Sequence, residues 1–101
     1  MKLFITTCLK DNQEDIQKIF KQANINVFSI TDVTGFKQND SVNLLEEWFA
    51  SGDEKFDSIL VFSFTTIENV DNCMNLIEAF NQNSGSQFPI RAFVVPVEKS
   101  I

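Results

Sequence analysis

The chain opens on a short apolar run, Lys2 to Leu9, that reads as a β-strand. Asp11-x-x-Glu14 follows, a carboxylate N-cap with an acid at the third helical position. Ile16, Ile19, Phe20 and Ala23 then fall at i, i+3, i+4 and i+7, one face of an amphipathic helix that Asn24 can close in a left-handed conformation. Val27 to Phe36 is rich in β-branched residues and reads as a second strand, ended by Gly35. A third strand is predicted over Asp57 to Phe64. Behind it Thr65-x-x-Glu68 forms a capping box, and Ile67, Val70, Cys73, Met74, Ile77 and Phe80 trace a second helical stripe. Asn81 to Gln87 is polar, with Ser84-Gly85 as its turn signal, and Phe88-Pro89 leads into a fourth strand, Ile90 to Val97.

The order βαββαβ predicts one α+β domain over residues 1–101, a ferredoxin-like sheet with two helices on one face. Alternation along the third strand sets Leu60, Phe62 and Phe64 on one side and Ile59 and Val61 on the other. Helices on a single face leave one of those apolar sides open, so a second subunit is expected to cover it.

The connection from Lys37 to Phe56 is long for a compact domain, and connections of that length usually carry function. It holds Leu44-Leu45-Glu46-Glu47-Trp48-Phe49, with the only tryptophan of the chain, between the breakers Asp40-Ser41 and Ser51-Gly52-Asp53. Two readings stand. Leu44, Leu45, Trp48 and Phe49 could anchor a protein partner, or they could fold back and cap the subunit edge.

Composition narrows the function classes. Hydrophobic residues make up 44% of 101, eleven of them Phe, which suits a packed core rather than a disordered chain. The net charge is −6 and the pI about 4.4, with no Lys/Arg cluster, so nucleic acid and anionic membrane surfaces are not expected partners. The apolar run after Met1 ends at Thr6-Thr7, and no stretch reaches the length of a membrane span. A cytoplasmic location is expected, with Cys8 and Cys73 reduced.

Three motifs in order carry a family resemblance. Phe28-Ser-Ile-Thr-Asp-Val-Thr-Gly-Phe36 resembles the second-strand signature of PII signalling proteins, a pattern such as I-T-V-T-E-V-K-G-F. Ala92-Phe-Val-Val-Pro-Val-Glu98 is similar to that family's last strand, I-F-V-x-P-V-E. Gln13-Glu-Asp-Ile16 stands where PII proteins carry L-D-D-V, so the resemblance spans nearly the whole chain. It implies a homotrimer with sheets facing inwards and helices outside. It also implies that the 37–56 connection is a T-loop, the element with which PII proteins grip transporters, enzymes or regulators. Such proteins hold ATP, ADP and often 2-oxoglutarate between subunits, and the ligand sets the loop's conformation. By position the resemblance assigns ligand contacts to Ser29, Gly35, Lys37, Gln38, Gly85 and Arg91.

This sequence departs from the family at the phosphate-binding residues. Lys37-Gln38-Asn39 stands in place of G-R-Q, so Gln38 replaces an arginine that contacts phosphate. The region Asn83-Ser-Gly-Ser-Gln-Phe-Pro89 stands where the family has T-G-x-x-G-D-G-K, and keeps only Gly85. No R-x-R follows the last strand. A triphosphate needs several cations, and Lys37, Arg91 and Lys99 are the nearby ones, which counts against conventional adenine-nucleotide binding and leaves the ligand unnamed. The chain has no tyrosine, which excludes tyrosine uridylylation. That pattern resembles the divergent PII-like branch, whose members keep the trimer and change the ligand; some are associated with transporters, heavy-metal efflux systems among them.

Sharper chemistry finds little support. Cys8, Cys73 and Met74 are soft metal ligands, but without histidine or ligand spacing they read as small core residues. Glu46, Glu47, Asp53 and Glu54 match no calcium loop and read as a solvated face. No nucleophile–base pair or phosphate-cradling loop is assembled, so the expectation is a binding protein, not an enzyme. The alternative in another class is a trimeric small-molecule or metal-ion sensor, or a CutA-like metal-tolerance protein, whose loop contacts no partner.

Overall fold

The computed structural model describes residues 1–36 and 55–101. Most of the expected 37–56 connection, with Lys37, Gln38, Leu44, Leu45, Trp48 and Phe49, lies outside the described residues. Four strands, β1 (Lys2–Leu9), β2 (Ser29–Phe36), β3 (Lys55–Thr65) and β4 (Arg91–Pro96), form one antiparallel sheet in the order β2-β3-β1-β4. Among the described residues two helices, α1 (Gln13–Gln22) and α2 (Ile67–Ser84), connect β1 to β2 and β3 to β4. The architecture is α+β and compatible with a ferredoxin-like arrangement.

One face of the sheet meets the helices. Phe4 and Cys8 of β1 and Ile59 and Val61 of β3 join Ile16, Ile19 and Phe20 of α1 and Val70, Cys73 and Ile77 of α2 in a single buried cluster. Phe20 sits at its centre, its ring 5.7 Å from Phe4 and 5.3 Å, edge-on, from Phe28. Two threonines inside β1 are buried with their hydroxyls satisfied. Thr6 Oγ1 donates to the Val61 carbonyl at 3.3 Å, and Thr7 Oγ1 donates to the Ile59 carbonyl at 3.1 Å.

Element ends depart from the sequence reading where longer-range bonds take precedence. The chain leaves β1 through a 3-10 turn, Lys10–Asn12, so Asp11 does not cap α1. The N-cap is Asn12, without a side-chain bond, and Glu14 and Asp15 lie in the first turn. Asn24 does take the left-handed conformation, at φ 64°. β2 begins at Ser29 because the Val27 carbonyl is taken by Ser63 Oγ, which donates at 2.6 Å. Thr65 does not cap α2, because the β1 ladder recruits it as the last residue of β3. Thr66 becomes the N-cap and accepts from the Asn69 N–H at 3.3 Å, while Thr65 Oγ1 accepts from Asn69 Nδ2 at 3.0 Å.

The helix α2 also runs one turn further than its apolar stripe, to Ser84, and Gly85 closes it at φ 61°. Asn81 supplies the reason. Its Nδ2 donates to the Ile90 carbonyl at 2.9 Å and its Oδ1 accepts from the Ile90 N–H at 2.9 Å, so one carboxamide clasps the approach to β4. Asn81→Ala removes both bonds and is expected to lower stability by about 1–3 kcal/mol, read as a shift in the urea midpoint at constant slope.

Candidate functional site

Register sorts the sheet's second face into rows across the strands. The first is Val95–Leu3–Phe64, the next Phe93–Ile5–Phe62–Ser29, and the third Arg91–Thr7–Leu60–Thr31. Arg91 is the single charged residue in these rows, and it stands at a corner. No helix among the described residues covers them. Phe64 is 58% exposed, and Phe93 and Val95 about 40% each. Carboxylates gather on the other side: Glu14 and Asp15 on α1, Glu68, Asp71 and Glu78 on α2. The open apolar face expected from strand alternation is therefore present.

The residues assigned by resemblance do not converge in one chain. Ser29 opens β2 and is exposed, and Gly35 is buried near the end of the same strand, opposite Phe56. Arg91 opens β4, half-buried, opposite Thr7. β2 and β4 are the two edges of the sheet, so Ser29 and Arg91 are three strand spacings apart, about 14 Å. Gly85 lies at the exposed end of α2, and open space surrounds the position a Cβ would take. Lys37 and Gln38 fall outside the described residues.

What the structure does bring together is a cleft of about 290 Å³ between the second half of α2 and β4. Met74, Ile77 and Glu78 line it from the helix; Ile90, Arg91, Ala92 and Phe93 line it from the strand. Of these, Arg91 alone is a ligand contact on the sequence reading. Met74 and Ile77 belong there to the core stripe, and Glu78 has no role. The spacing of Met74, Ile77 and Glu78 puts one carboxylate on an apolar helix face, which is the available signal. A second cleft of about 270 Å³, lined by residues from Asn24 to Val27 and from Ser63 to Thr65, carries no charged side chain.

No family model and no curated protein matches the chain. Function is therefore read from these surfaces.

The cysteines belong to the core. Burial pushes the Cys8 thiol up to about 12, the Asp15 carboxylate adding to the rise, and burial pushes Cys73 up to about 12 as well. Among the described residues no three metal-ligating side chains group together, and no helix is long and apolar enough to cross a membrane. A thiol raised in the folded state adds its full stabilisation below its ordinary value of 9.0, then loses it as the unfolded chain ionises first. Stability is thus expected to fall as pH rises from about 9 towards 12, seen as declining urea midpoints, and the fall should be smaller in a Cys8→Ala, Cys73→Ala double variant.

Proposed function

We propose that the chain is the subunit of a homotrimeric, PII-like regulatory binding protein, cytoplasmic and without catalytic activity of its own. A small ligand held between subunits biases the 37–56 segment towards or away from a protein partner, which Leu44, Leu45, Trp48 and Phe49 grip. A transporter is the partner class that the divergent branch of the family favours.

The observation that carries this reading is the apolar sheet face. A row of phenylalanines and valines with one charge at its corner is what a buried interface requires, and burying each such side chain contributes roughly 1.5–3 kcal/mol. Among the described residues the helix carboxylates Glu14, Asp15, Glu68, Asp71 and Glu78 lie on the helix side, which favours approach sheet to sheet. The wide separation of Ser29 and Arg91 within one chain supports a ligand site built from two subunits.

Light scattering coupled to size-exclusion tests the assembly, with three chain masses expected at micromolar concentration and a monomer counting against it. Calorimetry with ATP, ADP, cyclic dinucleotides and divalent metals then separates a nucleotide-type ligand from a metal sensor. Pull-downs comparing the wild type with Trp48→Ala test the gripping segment. Retention of every partner by the variant would sink that role.

A further inference from the structure

We propose that the outer edge of β4 and the α2 wall beside it form a docking groove for an extended segment of a partner protein, apolar at alternate positions and basic at one end. The segment adds to the sheet as a fifth strand. This surface is separate from the 37–56 segment, and every residue of it belongs to one chain.

The phase of β4 shows which main-chain groups are on offer. β4 pairs with β1 on one flank and, among the described residues, with no strand on the other. Antiparallel pairing turns the N–H and C=O of alternate residues towards the partner strand and those of the intervening residues away from it. Pro96, opposite Lys2, has no N–H to give β1, so it belongs to the set turned away. Asn81 of α2 takes both the N–H and the C=O of Ile90, each at 2.9 Å, which puts Ile90 in that set as well. Ala92 and Val94 lie between these two in the same phase. With Ile90 clasped and Pro96 lacking a donor, they are the residues that can each exchange a pair of hydrogen bonds with an added strand.

The cleft of about 290 Å³ runs along this edge. Ile90, Arg91, Ala92 and Phe93 all line it, although alternation sends the Arg91 and Phe93 side chains to the open face of the sheet. Four consecutive residues on one wall mean that the wall is the strand's main chain. Opposite it stand Met74 and Ile77 of α2, with Glu78 as the one charge on that side. A strand laid here sets every second side chain against Met74, Ile77 and Ala92. Glu78 lies one turn before Asn81, which holds Ile90, so a basic residue fits at the end of the groove where β4 begins.

The two edges of the sheet are finished differently. β2 carries Gly35 and Asp32, the latter paired with Lys10 at 3.5 Å, and a charged edge discourages pairing. From Ala92 to Val95, β4 has no charge, glycine or proline, and Val94 is 39% exposed. Charge then selects the occupant. α2 bears Glu68, Asp71 and Glu78 and no Lys or Arg. Two copies joined β4 to β4 in one continuous sheet would set two such helices side by side, acid against acid. A partner strand with Lys or Arg beside Glu78 meets the opposite sign.

The test is an NMR titration of the full chain with the capped hexapeptide acetyl-Ser-Val-Thr-Leu-Thr-Lys-amide. Its Val and Leu stand opposite Val94 and Ala92, and its Lys falls beside Glu78. Saturable shifts are expected at the Ala92 and Val94 amides and the Met74 and Ile77 methyls. N-methylation of the peptide's Leu should weaken binding about tenfold or more, whereas the Thr before it, whose N–H points away from β4, should tolerate the same change. Exchanging the peptide's Lys for Glu should weaken binding about fivefold. Val94→Pro removes one outward donor at an edge position and should abolish saturation. If that proline disturbs the sheet, the N-methyl peptides carry the same test on the unaltered protein. Absence of saturable shifts overturns the proposal, as does equal weakening by the two N-methyl peptides or indifference to the Lys-to-Glu exchange. Self-association that Val94→Pro dissolves also overturns it, because a second copy would then hold the edge. Light scattering on the same samples keeps the two readings apart: a trimer blind to the peptide defeats this inference alone, and a monomer that binds it defeats only the assembly.

Discussion

Phe20→Ala is expected to cost about 3–5 kcal/mol of stability, the upper range for truncating one core side chain. Phe20 is fully buried and its ring contacts both Phe4 on β1 and Phe28 ahead of β2. Its carbonyl accepts from the Ala23 N–H at 3.1 Å and the Ile25 N–H at 2.9 Å, so the same residue closes α1 and turns the chain back towards the sheet. That main-chain closure fixes the walls around the ring, and a cavity left there has little freedom to collapse. Domains of this size hold roughly 5–15 kcal/mol in all, so the loss is a large share. Urea unfolding reads it directly. Phe20→Leu, which keeps most of the volume, should lose about 1–1.5 kcal/mol, and an alanine variant within about 1 kcal/mol of the wild type would refute the central role given to this ring.

The second large effect is on assembly and spares the subunit. Phe64 is 58% exposed on the open sheet face, so Phe64→Asp costs the isolated chain little. In an assembled face the same carboxylate must be buried unpaired, and association should weaken about a hundredfold, about 3 kcal/mol. Light scattering across a dilution series should show the variant as a monomer with unaltered far-ultraviolet circular dichroism. Ala79→Asp, exposed on α2, is the control and should leave the mass unchanged. An oligomer that survives Phe64→Asp would mean that some other surface holds the copies together.

Most of the fold is readable from periodicity, because the helical stripes and the alternation in β3 are strong. What periodicity misses are choices between neighbours. Thr65 and Thr66 can each cap α2, and the pairing of Thr65 with Lys2 across the sheet decides between them. Asn81 looks like a turn residue until its partner, the Ile90 main chain, is known. The candidate site is harder still. Arg91 is visible as a cation in a predicted strand, but that its strand borders a cleft beside α2 follows only from the packing of the helix against β4. Ser29 and Gly35 share a site with Arg91 on the sequence reading, and the strand order sets them on opposite edges of the sheet.

That strand order bears on how the protein is made. β1 is first in the sequence but sits inside the sheet, with Lys2 opposite Thr65 on one flank and Pro96 on the other. During synthesis it emerges first and must wait for β3 and then β4 before both of its flanks are paired. A chain that has not yet reached β4 cannot complete the sheet, and until then the apolar β1 keeps an unpaired flank. The interval between the synthesis of β1 and of β4 is thus the one in which an unpaired apolar edge is open to mispairing.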